Sequence, residues 1–280
     1  MRYITLPDID DIEVFDMIAA AKYRPRSAQM IGARPAVFDA YGRYGEAAPE
    51  LGGLAHAVLT NEQKEVMRHA YSVETAPMIT LRSNILDGIA AAKCPFCGIN
   101  ETSTLDHYLP KEQYPELSIF SPNLIPCCPQ CNTRKNDLVV EDDTNVRLFI
   151  HPHFDQVPNL RFLKAEIDVK NDALLLGFRI SRPAGMSLAM FRHLRSHFKL
   201  LNLSDRYRRM GLEHLGGQYR ALKRAYGTAG DSVRVASELA TTAEDFVERY
   251  GENYWLAVLY RALAAHDGFC RGGFEMLKAL

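Results

Sequence analysis

Four cysteines stand in two pairs that have the spacing of metal-binding knuckles. Each pair has two residues between its cysteines, and 30 residues separate the first pair from the second. Cysteine thiolates arranged in this way can bind one zinc ion in tetrahedral geometry. We therefore predict a structural Zn²⁺ site whose ligands are Cys94, Cys97, Cys128 and Cys131.

Other uses of these cysteines have to be weighed against zinc. Cys127 is an adjacent thiol that could pair with Cys131 in place of Cys128, at a less usual spacing. A disulfide framework is also conceivable. However, the acidic start of the chain is unlike a secretory signal, and no apolar run is long enough for a membrane span. We expect a cytoplasmic protein with no membrane partner, and a reducing cytoplasm favours metal binding over disulfides.

The segment between the two pairs carries a second pattern. Asp106 and His107 are adjacent, Asn123 follows with fifteen residues between, and Asn132 follows with eight more between, in "NLIPCCPQCNTRK". This arrangement resembles the HNH endonucleases, or ββα-metal nucleases, in their zinc-stapled branch. The resemblance covers roughly residues 94–137, about a sixth of the chain. Asn132 stands where the namesake motif has histidine, as in the HNN subset of the family.

The resemblance implies a metal-dependent endonuclease that hydrolyses DNA phosphodiester bonds. His107 would be the general base, because a neutral imidazole can accept a proton from water near neutral pH. Asp106 and Asn132 would hold the catalytic cation, and these oxygen donors suit Mg²⁺ or Mn²⁺ better than zinc. The family assigns Asn123 a supporting role, in which its side chain braces the loop and so orients His107.

Basic residues near this motif could contact the substrate. Lys111, Arg134 and Lys135 are candidate phosphate contacts, although solvated surface residues would give the same pattern. His151 and His153 could be additional metal ligands. Because they lie outside the motif, we expect them to serve in packing or on the substrate side instead.

Charge is distributed unevenly in a chain whose net charge is only −1. The segment from Met186 to Tyr226 has nine Lys or Arg residues against two acidic residues, a local charge of +7. A basic stretch in a neutral protein is typical of a surface that binds a polyanion, but solvated helix faces can also produce it.

The fold is predicted to be α+β: a mainly helical protein with an embedded zinc-stapled ββα-metal (HNH) unit and a β-hairpin after it. We predict an N-terminal helical region at residues 1–90, the nuclease unit at 91–155, and the hairpin with a C-terminal helical region at 156–280. One helix should have Thr60 or Asn61 as its N-cap, and the next should place Ile79, Ile85, Leu86 and Ile89 roughly on one apolar face. The hairpin should turn at Asn171-Asp172, and a later helix should be capped by Ser204.

The resemblance extends to a biological setting. Similar proteins occur in prokaryotic restriction and phage-defence loci, and some act beside an ATPase, as in Septu-type systems. We therefore expect gating by a regulatory ATPase or another defence-system subunit. Two alternatives remain: a non-catalytic zinc-stabilised module that binds nucleic acid, and a protein–protein adaptor.

Overall fold

The computed structural model describes residues 3–88, 93–141, 146–170 and 173–279. Within these ranges the protein is mainly helical, with two small antiparallel sheets of two strands each. The chain divides into two compact units, Met1–Gln156 and Val157–Leu280. The mixed, mainly helical class is therefore confirmed, whereas the predicted boundary near residue 90 stays a prediction.

The first unit places its helices before the cysteine-rich segment and a short ββα element within it. Its elements are α1 (Asp11–Ala20), α2 (Arg26–Ala47), α3 (Asn61–Ser72), α4 (Ala76–Asp87), β1 (Thr104–His107), β2 (Leu124–Cys127) and α5 (Pro129–Lys135). The N-cap of α3 is Thr60, whose hydroxyl accepts from the Gln63 amide at 3.2 Å, while the Gln63 side chain accepts from the Thr60 amide at 2.9 Å. This capping box confirms the predicted start of the helix.

Helix α4 turns a different face to the core from the one that was predicted. It buries Met78, Leu81 and Ile85, whereas Ile79 is 50% exposed. The prediction was therefore right for Ile85 and wrong for Ile79. Leu86 is half-buried, and Ile89 lies outside the described residues.

The ββα element brings the predicted catalytic residues to one place. In the β1–β2 pair, Asp106 lies opposite Ile125 and His107 lies opposite Leu124. Helix α5 follows directly, begins with a proline, and packs against β1. Proline suits this first position because the backbone amide there has no partner within the helix. Asp106 and His107 therefore end a strand that lies beside the helix carrying Asn132.

The second unit begins with a hairpin and continues as helices. Its elements are β3 (Leu163–Lys170), β4 (Ala173–Ile180), α6 (Leu188–Leu200), α7 (Leu203–Gly216), α8 (Tyr219–Tyr226), α9 (Ser232–Tyr250), α10 (Trp255–Ala264) and α11 (Asp267–Cys270). The two predicted strands are confirmed, and the Asn171-Asp172 turn lies outside the described residues. No helix in the described ranges has both the length and the apolar character needed to cross a bilayer.

The predicted N-cap of α7 was wrong by two residues. The N-cap is Asn202, at φ +50°, and Ser204 lies inside the helix. The Ser204 hydroxyl instead donates to the Phe178 carbonyl oxygen at 2.7 Å. A main-chain carbonyl in the neighbouring hairpin therefore takes the serine hydroxyl away from the capping role that was predicted.

Candidate metal centre and catalytic site

The two cysteine pairs form a buried four-thiol cluster. The sulfur atoms of Cys94, Cys97, Cys128 and Cys131 all lie within 4.8 Å of one another. The Cys97 and Cys128 sulfurs are 3.9 Å apart. A disulfide would hold them at about 2.0 Å, whereas a tetrahedral zinc site with Zn–S bonds of about 2.3 Å separates its sulfurs by roughly 3.8 Å. The cluster therefore fits a structural zinc ion.

Cys127 is not part of this cluster. It ends strand β2, and its sulfur lies 3.6 Å from the Thr104 hydroxyl oxygen. The alternative pairing of Cys127 with Cys131 is therefore wrong for the four-thiol site. Burial raises the pKa of Cys127, so this thiol stays protonated at neutral pH.

The backbone around the first pair has the turn that a metal knuckle needs. Gly98 has a φ of +68°, and its amide donates to the Cys94 carbonyl oxygen at 2.7 Å. A side chain at this φ would be strained, which explains the glycine. The Ile99 amide donates to the Cys97 sulfur at 3.4 Å. Such a bond stabilises a thiolate in the form that binds metal.

Asp106, His107 and Asn132, three of the four residues predicted to form the catalytic site, line one cavity of about 300 Å³. The other lining residues are Tyr71, Leu105, Pro110, Lys111, Glu112, Asn136 and Asp137. The cavity thus combines an imidazole, a carboxylate and an amide, which are the donors needed to activate water and to bind a cation.

His107 is held in one tautomer by the main chain. Its Nε2 lies 2.9 Å from the Ser118 carbonyl oxygen, and a carbonyl can only accept, so Nε2 carries the proton. The lone pair is then on Nδ1. Burial lowers the pKa of His107 to about 4 despite the Ser118 bond, and the positive charges of Lys111 and Lys135 act in the same direction as burial. The imidazole is therefore neutral at pH 7.

Asp106 is paired with a cation from the protein itself. Its Oδ2 lies 2.8 Å from the ammonium of Lys135, and both side chains are buried. That ammonium also donates to the His107 carbonyl oxygen at 2.8 Å. Burial outweighs the effect of Lys135 and raises the pKa of Asp106 to about 6. Because Lys135 is fully buried, it is not the surface phosphate contact that the sequence suggested.

Asn132 keeps an oxygen available to a ligand. Its amide nitrogen donates to the Leu105 carbonyl oxygen at 3.3 Å, which leaves the amide oxygen as the possible cation ligand. With Asp106 it offers the oxygen donors that Mg²⁺ and Mn²⁺ prefer. This donor set therefore fits a divalent cation.

Asn123 ties together the two ends of the loop that follows His107. Its side-chain oxygen accepts from the Leu109 amide at 2.8 Å, and its nitrogen donates to the carbonyl oxygens of Leu109 at 3.0 Å and Leu117 at 3.3 Å. Its own carbonyl oxygen accepts from the Tyr108 amide at 2.8 Å. These are the contacts that a bracing residue would make, and its effect on His107 stays a prediction.

The remaining candidate residues lie in different environments. Arg134 is exposed, and Lys111 lines the cavity while its ammonium lies 2.7 Å from a Glu112 carboxylate oxygen. Their contact with phosphate stays a prediction. His151 and His153 are buried and do not line this cavity. His151 lies 2.9 Å from the Tyr44 hydroxyl and accepts from the His153 amide at 3.2 Å. The expected role of the two histidines, in packing or on the substrate side, stays a prediction.

Two neighbours of His107 were missed in the sequence. The ring of Tyr71, in α3, meets the His107 ring edge-on with centroids 4.3 Å apart. The Ser118 carbonyl oxygen fixes the tautomer of His107. A main-chain acceptor has no signature in residue type, and Tyr71 lies in a helix with no motif to link it to the site.

The chain is similar to a curated phage protein. Protein ea31 of Escherichia phage lambda is 31% identical to this chain in an alignment of length 191, and the match covers 64% of this chain and 64% of that protein. The chain thus matches less than two thirds of the length of this relative. No family model matches the chain, and no solved structure matches it.

Proposed function

We propose that this protein is a metal-dependent endonuclease of the HNH type, with the HNN motif, and that it hydrolyses DNA. The observation that carries the proposal is the shared cavity, in which Asp106, His107 and Asn132 lie beside a buried four-thiol cluster. The order of two short strands and a helix agrees with the ββα element that the sequence resemblance implies.

The roles follow from the geometry of each side chain. His107 takes a proton from the attacking water at Nδ1, because Nε2 is already committed to Ser118. Asp106 and Asn132 hold a divalent cation, which when bound supplies charge neutralisation at the scissile phosphate. Asn123 keeps the loop closed, so the carbonyl of Ser118 stays within reach of His107.

Plasmid nicking in Mg²⁺ or Mn²⁺ tests this function. We expect His107→Ala to lower the cleavage rate by roughly 10²- to 10⁴-fold, which is the usual contribution of a general base. His56→Ala is the matched control, because this exposed histidine stacks on Tyr114 and does not line the cavity. Undiminished cleavage by the His107 variant would remove the imidazole from its role.

One observation favours a second function, a non-catalytic zinc-stabilised module that binds nucleic acid. Lys135 already neutralises Asp106, so the carboxylate does not need an external cation to be stable. Mn²⁺ binding separates the two functions. Electron paramagnetic resonance should show one bound Mn²⁺ per zinc-loaded nuclease, and that signal should be lost in Asn132→Ala. Absence of Mn²⁺ binding together with absence of cleavage would favour the binding module.

The biological role is proposed on the sequence resemblance alone. A nuclease without restraint would damage the DNA of its host, so we propose gating by a partner, such as a regulatory ATPase in a restriction or antiphage system. Full activity of the purified chain alone would contradict gating. The third possibility, a protein–protein adaptor, predicts no salt-dependent DNA binding.

A further inference from the structure

The basic stretch of the second unit resolves into residues with different surroundings. Arg206 is buried, Arg208 and Arg209 both pair with Asp205, and Lys223 pairs with Glu275. The other five are exposed and form no ion pair with any residue that the structure describes: Arg192, Arg195 and Lys199 on α6, and Arg220 and Arg224 on α8. The predicted charge excess is therefore concentrated on two helices.

On α6, the three exposed cations lie on one face. Their spacing of three and then four residues places them in a single row, and seven residues of helix extend about 10 Å. The opposite face carries the buried residues Leu194 and Phe198. Helix α6 contains no acidic residue, so nothing on the helix itself neutralises the row.

We propose that this row, Arg192, Arg195 and Lys199, is a docking surface for the phosphate backbone of duplex DNA. Each strand of a duplex presents one phosphate per roughly 3.4 Å of the axis, so a 10 Å row of cations spans about three phosphates of one strand. Docking a folded protein would instead call for an apolar centre inside the charged row. The row has none: the exposed Leu188 lies at its end, one turn before Arg192. The choice of DNA as partner rests on the proposed nuclease function.

The surface is tested by DNA binding of the full chain, with His107→Ala as background to prevent cleavage. Fluorescence anisotropy of a labelled duplex is measured between about 50 and 200 mM salt. In this background we compare the triple variant Arg192→Gln, Arg195→Gln, Lys199→Gln with a control that removes the same charge elsewhere in the unit. The control is Lys164→Gln, Arg234→Gln, Arg249→Gln, at exposed positions on β3 and α9.

The plot of log K against the logarithm of the salt concentration becomes less steep by about 0.9 for each phosphate contact that is lost. The α6 triple variant should therefore reduce the steepness of this plot by about 2 to 3. The affinity of the α6 triple variant for the duplex should be at least 10-fold lower than that of the background protein. The affinity of the control variant should differ from the background by less than 3-fold. Three outcomes overturn the surface: no binding by the background protein at the lowest salt, equal loss in both variants, or unchanged binding in the α6 variant. Binding to polyglutamate is measured with the same variants. If the α6 triple variant loses binding to polyglutamate but keeps its binding to DNA, the row belongs to an interface with an acidic protein.

Cleavage by the wild-type protein on the same duplex keeps this proposal separate from the nuclease function. Binding that depends on α6, without cleavage under any metal condition, would reject the nuclease and retain the surface. If the wild-type protein cleaves the duplex but the α6 triple variant binds DNA as well as the background protein does, the docking surface is rejected and the nuclease function is retained.

Discussion

The buried pair of Lys135 and Asp106 allows a sharp test of how the site is held together. Lys135→Met keeps most of the length of the side chain and removes its charge. The Asp106 carboxylate, which is 3% exposed, would then be buried without a counter-charge. The His107 carbonyl oxygen would also lose the hydrogen bond that it accepts at 2.8 Å.

Removing one partner of a buried ion pair typically costs about 3–5 kcal/mol. We expect the free energy of unfolding to fall by that amount, and the melting temperature to fall by roughly 10 °C for a unit of this size. Lys111→Met is the matched control: its ammonium is paired with Glu112 at 2.7 Å near the same cavity, but it is partly exposed. A surface pair of this kind contributes only about 0–1 kcal/mol.

The loss should depend on pH with a defined sign. The pKa of Asp106 is already raised to about 6 in the presence of Lys135, and removing the lysine raises it further. A carboxyl with a raised pKa in the folded state is best tolerated when protonated, so stability is lost as pH rises through that value. Urea unfolding should therefore show a small defect near about pH 5 and the full defect near about pH 8.

A double variant completes the test. Asp106→Asn combined with Lys135→Met removes both charges and should recover most of the loss, because a neutral amide is cheaper to bury than an unpaired carboxylate. A defect below about 1 kcal/mol in Lys135→Met would refute the reasoning. So would a double variant that is no more stable than Lys135→Met alone.

Three further predictions concern other parts of the first unit. Cys131→Ser should lose the single zinc ion measured by mass spectrometry and should unfold the site, whereas Cys127→Ser should retain one zinc per chain. Asn123→Ala should destabilise the protein by about 1–3 kcal/mol in urea, since it leaves buried main-chain groups unpaired; a neutral result would remove its bracing role. Burial raises the pKa of Asp11 to about 6 despite its bonds from Ser121, so stability should fall as pH rises through that value. Asp11→Asn should flatten this dependence by about 2 kcal/mol between about pH 4 and pH 7, and an unchanged slope would contradict the shift.

Local patterns in the sequence were enough to predict several elements. The start of α3 and both strands of the second unit's hairpin were predictable, because a capping box and alternating apolar residues act over a few positions. The four-thiol cluster was predictable for a similar reason: a pair of cysteines with two residues between them determines its own turn. The cap of α3 and the turn within each cysteine pair depend on residues that lie close together in the chain.

The failures involve contacts between distant residues. Ser204 was expected to cap α7, but its partner Phe178 lies 26 residues earlier. Lys135 was expected to be a phosphate contact or a solvated surface residue, but its ammonium is buried beside Asp106. Nothing in the residues around Lys135 indicates that this basic side chain is buried, whereas its neighbour Arg134 is exposed.

The bond between His107 and residue 118 has a consequence for how this site can vary. The acceptor is a peptide oxygen, which every amino acid carries, so no exchange of the side chain at Ser118 deletes it. The serine hydroxyl points elsewhere and donates to the Pro115 carbonyl oxygen at 2.7 Å. Substitutions at this position can therefore leave the tautomer of the His107 imidazole unchanged. Only a change in the path of the loop would alter it, and such a change is invisible in a comparison of residue types.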